Sequence, residues 1–220
     1  LKVLQSIKIA DVIIYDALVN PKLLKNCKKT AKIIFGGKTK NKKACSQKEI
    51  NDWMITYAQK KRKVLRLKGG DPSFFSRGSQ EINFLRSNKI TFQIFSGITS
   101  SQIAIKNAGL SFFNKNGICN FITGHRRIIS SSVSNQFKQI YYNNGKIIVY
   151  MGISQIKNIL CELIELGISK KTKVFIIANA SLKKEKMVIS FLSDIEDTII
   201  NNKILPPAII IIDQKITSKI

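Results

Sequence analysis

A chain of 220 residues, 44% of them hydrophobic, can build one large or two small cored domains, which argues against a disordered protein. Its longest apolar runs, such as AIIII (208–212), are far too short to cross a bilayer, so no membrane partner is expected. A net charge of +24 invites a nucleic-acid reading, but the lysines spread along nearly the whole length with no aromatic-interleaved stripe.

Lysine, isoleucine and asparagine are all abundant, the mark of an AT-biased coding sequence. Solvated surface charge is therefore expected, then a polyanionic small molecule, with nucleic acid the least favoured partner. The four cysteines are scattered without a CxxC pair, and there is a single histidine, His125. No metal site is expected, and a reduced cytoplasmic setting fits. No basic-then-apolar leader opens the chain, so secretion is not expected either.

Strand and helix signals alternate along the chain, the signature of an α/β protein. ADVIIYD (10–16), AKIIF (31–35), KVLRLK (63–68), TFQIF (91–95) and ICNFIT (118–123) read as strands. KIIVYM (146–151), TKVFIIA (172–178), MVISFL (187–192) and AIIIID (208–213) continue the series. SQKEINDWMITYAQKK (46–61) opens with Ser46 and Glu49, a capping box, and its Ile50, Trp53, Met54 and Tyr57 fall on one helical face. ISQIKNILCELIELG (153–167) is a helix closing on Gly167, a residue suited to a left-handed cap. FFNKNG (112–117) is the best boundary, giving lobes at 1–113 and 114–220.

The stretch RLKGGDPSFFSRG (66–78) concentrates backbone freedom directly after a strand. Glycines there let the chain reach positive φ and let a ligand approach the sheet's carboxyl edge. Asp71 can accept hydrogen bonds from hydroxyls or amides, and Pro72 stiffens the turn. The pattern is not GxGxxG, so a nicotinamide cofactor is not indicated. From local chemistry alone, a tight strand-to-helix turn with no ligand is an equal reading.

RLKGGDPSFFSRGSQE (66–81) closely resembles the RLKGGDPxxFGRGxEE motif of the uroporphyrinogen-III C-methyltransferases, enzymes of the tetrapyrrole-methylase type. Further matches follow in the family's order: ADVIIYDALVNP (10–21), GGK (36–38) with SQKEIN (46–51), and SGITSSQIA (96–104). FITGH (121–125), YMG (150–152), IAN (177–179) and PPAIIIID (206–213) complete the series over essentially the whole chain. The resemblance implies a two-domain class III α/β fold that takes S-adenosylmethionine in its interdomain cleft, and it implies a homodimer.

Residue by residue, it implies cofactor contacts at Gly69, Gly70, Asp71 and Phe74, at Thr99 and Ser100, and at Met151 and Ala180. It implies that Asp16 is the proton acceptor and Lys38 the proton donor. By local chemistry alone these two are a turn acid and a surface lysine, and His125 is a structural hydrogen-bonder. The implied reaction is transfer of two methyl groups to ring carbons of uroporphyrinogen III, giving precorrin-2. Scattered basic side chains would hold the substrate's carboxylates.

The sequence departs from the family in several places. The family's opening strand and GxGPGDPxLLT loop would precede LKVLQSIK (1–8), so this chain is expected to bind cofactor weakly by itself. Ala180 replaces a glycine, FFNK (112–115) stands for PLTHR, and ASLKKEK (180–186) lacks GTxxxQ. Another precorrin methylase, a ribosomal-RNA methylase of the same fold and a non-enzymatic basic module are the alternatives.

Overall fold

The computed structural model describes residues 1–37, 45–113, 117–124 and 145–217. They divide into two compact units, Leu1–Thr99 and Ser100–Ile220. The break lies ahead of the FFNKNG segment, because helix α4 (Ser100–Asn107) packs on the last strand of the second unit.

The first unit is built on a parallel sheet of β1 (Val12–Tyr15), β2 (Lys32–Phe35) and β3 (Val64–Leu67), in the order β2-β1-β3. Strand β1 is central, pairing Ile14 with Ile34 on one side and with Arg66 on the other. Successive side chains alternate between the two faces. Ile13 and Leu67 face one core, with Ile7 of α1 (Lys2–Ile9) and Val19. Val12 and Ile14 face the other, with Ile50 and Met54 of α2 (Gln47–Gln59) and partly buried Val64 and Leu85. Helix α3 (Gly78–Ser87) supplies Leu85.

Helix α2 begins where the capping box places it. The Glu49 backbone N–H donates to Ser46 Oγ at 3.1 Å, and the Ser46 backbone N–H donates to Glu49 Oε2 at 2.7 Å. Two end groups that the helix cannot satisfy internally are thereby paired. The expected strand at 91–95 is a correction: this segment joins no ladder among the described residues. Its Phe92 ring instead lies 6.0 Å from the Arg86 guanidinium, a contact on α3 rather than on a strand.

The second unit holds a mixed five-stranded sheet in the order β4-β5-β8-β6-β7. Its strands are β4 (Cys119–Thr123), β5 (Lys146–Tyr150), β6 (Thr172–Ala178), β7 (Lys186–Phe191) and β8 (Ala208–Thr217). Strand β4 runs parallel to β5, and β8 runs antiparallel to both β5 and β6. The run Ile209, Ile210, Ile211 and Ile212 on central β8 is buried on both faces, which is why it reads as continuous isoleucine.

Helix α5 (Ile156–Glu165) places Ile156, Ile159 and Leu163 against this sheet, and α6 (Ile195–Asn201) adds Ile195 and Ile199. Burying each such side chain contributes roughly 1.5–3 kcal/mol. Gly167 has φ +87° and donates its N–H to Ile164 O at 2.9 Å, the expected left-handed stop after α5. The α/β class expected from the alternation is the one observed. Among the described residues, no helix is long and apolar enough to cross a membrane.

Candidate active site

The carboxyl edge of the first sheet carries Asp16, just past β1, and Gly69–Gly70–Asp71, just past β3. Asp16 follows Val12 and Ile14 in the two-residue alternation, so it shares their face, and its N–H donates to Leu67 O at 3.2 Å. On β3 the same parity puts Val64, Arg66 and Lys68 on that face. Where the apolar core of Val12, Ile14, Ile50 and Met54 ends, a charged cluster continues it.

In that cluster the Arg66 Nη2 donates to Asp16 Oδ1 at 2.5 Å, and its Nε donates to Glu81 Oε1 at 3.1 Å. Nη1 reaches the carbonyls of Ile14 and Leu67, both at 3.3 Å. Lys68 Nζ lies 3.5 Å from Asp16 Oδ2 and 3.3 Å from Glu81 Oε2. Gln47, in the first turn of α2, donates to Glu81 Oε1 at 3.1 Å and to Asn51 Oδ1 at 3.0 Å. The side chains of Arg66, Lys68 and Glu81 are 12%, 11% and 6% exposed, whereas Asp16 is 28% exposed. Asp16 is thus the solvent-facing member of a mostly buried, charge-balanced group.

The glycine loop is shaped by two different constraints. Gly70 adopts φ +83°, and a side chain there would find open space, its nearest neighbour being Ile98 O at 3.8 Å. Gly69 is needed for room, since a Cβ would lie 2.7 Å from Leu18 Cβ. Asp71 spends its carboxylate on the loop itself, accepting from the Ser73 N–H at 2.8 Å and the Gly97 N–H at 2.8 Å. Phe74 is partly buried and meets Phe75 edge-on, with ring centres 5.7 Å apart. Thr99 is 9% exposed and is the last residue of this unit. An exposed glycine backbone with open space above Gly70 fits a closely approaching ligand.

The second unit brings its own residues to one sheet edge. Strands β4, β5 and β6 all point the same way, so Gly124, Met151 and Ala180 follow their carboxyl ends together. Met151 is 42% exposed with φ +52°, and Asn179, before Ala180, has φ +54°. Ser100 opens α4; the next residue, Ser101, is fully buried, its Oγ lacks a partner, and its N–H donates to Tyr150 Oη at 3.3 Å. A buried unpaired hydroxyl beside the Ser100 position is consistent with a polar ligand there.

The profile of the Tetrapyrrole (Corrin/Porphyrin) Methylases matches residues 1–196. The chain belongs to the tetrapyrrole methylase family. It is 35% identical over 214 residues to the uroporphyrinogen-III C-methyltransferase of Bacillus subtilis, covering 96% of this chain and 83% of that one. It is 32% identical over 212 residues to the siroheme synthase of Psychrobacter cryohalolentis, covering 96% of this chain and 40% of that protein. The chain therefore spans well under half of that longer relative.

Among solved structures, this tetrapyrrole methylase resembles the uroporphyrin-III C-methyl transferase of Thermus thermophilus complexed with S-adenyl homocysteine. The TM-score is 0.76 at 25% identity, covering 96% of this chain and 89% of that one.

Within each unit the structure groups the residues singled out in the sequence. Asp16 and the Gly69–Asp71 loop share one edge, and Met151 and Ala180 share another. Lys38 and His125 lie outside the described residues. Sequence reasoning missed Arg66, Lys68, Glu81 and Gln47 as a group. The signal was present, because Arg66, Lys68 and Glu81 lie in RLKGGDPSFFSRGSQE and Gln47 in SQKEIN, and the alternation in KVLRLK gives Arg66 and Lys68 one parity.

Proposed function

We propose that this tetrapyrrole methylase transfers methyl groups from S-adenosylmethionine to two ring carbons of uroporphyrinogen III, giving precorrin-2. The observation that carries this reading is the placement of Asp16 beside Arg66 and Lys68, on the same sheet edge as the Gly69–Asp71 loop. The cofactor contacts proposed are Gly69, Gly70, Asp71, Phe74, Thr99, Ser100, Met151 and Ala180. When bound, S-adenosylmethionine supplies an electrophilic methyl group on a sulfonium centre.

The chain's own part is alignment and proton handling. A pyrrole carbon of the reduced macrocycle is electron-rich, so positioning and exclusion of water do most of the work. Once a ring carbon is methylated, the Asp16 carboxylate takes the proton lost as the ring system tautomerises. Arg66 and Lys68 hold that carboxylate in place, and Lys38 is the proposed donor. Surface lysines and arginines attract a substrate with eight carboxylates. We further propose a homodimer working in the cytoplasm, in keeping with cysteines that are all free.

A methyl-transfer assay with uroporphyrinogen III and S-adenosylmethionine tests the reaction directly. Equilibrium dialysis with S-adenosylhomocysteine tests the loop: Gly70→Val should lose binding while its far-UV circular dichroism stays that of the parent. Undiminished binding in the folded variant would remove the loop from the site.

A further inference from the structure

Glu81 touches both cations that hold Asp16, and it is the most deeply buried acid of the cluster at 4% exposure. It sits on α3, opposite the strands, and is braced by Gln47 of α2. Arg66 therefore presents one edge, Nε, to Glu81 and another, Nη2, to Asp16, while Nη1 is tied to two backbone carbonyls. Lys68 bridges the same two carboxylates. The cluster holds two cations and two anions and is neutral as it stands.

We infer that Glu81 is a positioning residue for proton transfer, keeping Arg66 and Lys68 in place while the charge on Asp16 changes. This inference rests on the proposed role of Asp16 as proton acceptor. When Asp16 takes up a proton, its attraction for both cations largely disappears. Their side chains are 12% and 11% exposed, and burying an unpaired charge is costly. Without Glu81 they would turn toward solvent or toward the substrate's own carboxylates, and Asp16 would lose its fixed position. With Glu81 present, each cation keeps a carboxylate in both protonation states. Glu81 itself exchanges no proton and touches no substrate atom.

The test uses the full chain with Glu81→Gln, which keeps the size but removes the charge and turns one of the two acceptor oxygens into an amide donor facing the cations. The expected result is a roughly tenfold fall in kcat, with KM for uroporphyrinogen III and affinity for S-adenosylhomocysteine within about twofold of the parent. Glu81→Asp, which keeps the negative charge, should retain more of the parent's kcat than Glu81→Gln does. Unchanged kcat in Glu81→Gln, or a Glu81→Asp variant no more active than Glu81→Gln, would overturn the inference.

A second readout needs no turnover: the Arg66 Nε–H resonance in nitrogen-correlated spectra. Held by Glu81 it should exchange slowly with water, and in Glu81→Gln it should broaden. Loss of that signal supports the anchoring even if the parent methylates nothing, in which case the proposed reaction alone fails. A signal that survives the substitution overturns the anchoring.

Discussion

The Gly97 backbone N–H donates to Asp71 Oδ2 at 2.8 Å, while Oδ1 of the same carboxylate accepts the Ser73 N–H at 2.8 Å and the Ser73 hydroxyl at 2.5 Å. One side chain thus stitches the loop after β3 to the segment that leads to Thr99. The Ser73 hydroxyl foremost, with the Gly97 and Ser73 amides, holds the Asp71 carboxyl below the usual carboxylate range. Such a group contributes fully above the unfolded value of about 3.9, and its contribution disappears as pH falls through the folded value. Protection of the Gly97 amide against hydrogen exchange should therefore hold at neutral pH and decline below about pH 4. Asp71→Asn should cut that protection about three- to tenfold at pH 7 and flatten its pH dependence.

Gly97 and Gly70 should respond differently to alanine. A Cβ on Gly97 would lie against the Gly70 carbonyl oxygen, a backbone atom that can yield only if the loop moves. A Cβ on Gly70 would meet open space, at the cost of a left-handed φ for alanine, roughly 1–2 kcal/mol. Urea denaturation is expected to show Gly97→Ala as the more damaging change, by about 1–3 kcal/mol of overpacking. The opposite ranking would contradict the close approach of the two loops.

In the second unit, Lys146 on β5 and Asp213 on β8 form an ion pair at 3.3 Å, with the residues 8% and 3% exposed. Asp213→Asn would leave Lys146 buried without its anion, so a loss of about 3–5 kcal/mol is expected. The double change Lys146→Met with Asp213→Leu removes both charges and should cost far less. Stabilities from urea midpoints of the three proteins decide this, and an additive double variant would rule out coupling between the pair.

Cysteine reactivity should follow burial. Desolvation pushes the Cys119 thiol up to about 11, so it stays protonated at neutral pH, whereas Cys161 is exposed on α5. Alkylation at pH 8 followed by peptide mass spectrometry should find Cys161 modified first. Cys119 should be modified only after denaturant is added.

Those features that depend on neighbours in sequence were legible in it. The Ser46–Glu49 capping box, the Gly167 stop and the apolar strands are each written within a few residues, and each stands where expected. The segment at 91–95 has the composition of a strand but no paired neighbour among the described residues, and composition alone cannot supply a ladder. Asp16 and the glycine loop were legible as parts of ordered motifs. Glu81 closes the same motif, but its role was not legible, because it exists only where α2, α3 and β3 converge, through Gln47, Glu81 and Arg66. Asp71 looked like a free acceptor in the sequence; in the structure its oxygens are taken by Ser73 and Gly97.

The parity of β3 also sets a rule for how this protein can change over generations. Leu67 is 6% exposed in one core, while its neighbours Arg66 and Lys68 reach the charged cluster on the opposite face. Inserting or deleting a single residue between Lys63 and Gly69 would exchange these faces, driving a lysine or arginine into the layer under α1 and leucines among the acids. Substitutions can accumulate one by one along this strand, but its length is frozen. Descendants of the chain should therefore vary in the loops before β2 and after α3 while keeping the spacing from Asp11 to Asp16 and from Lys63 to Gly69 intact.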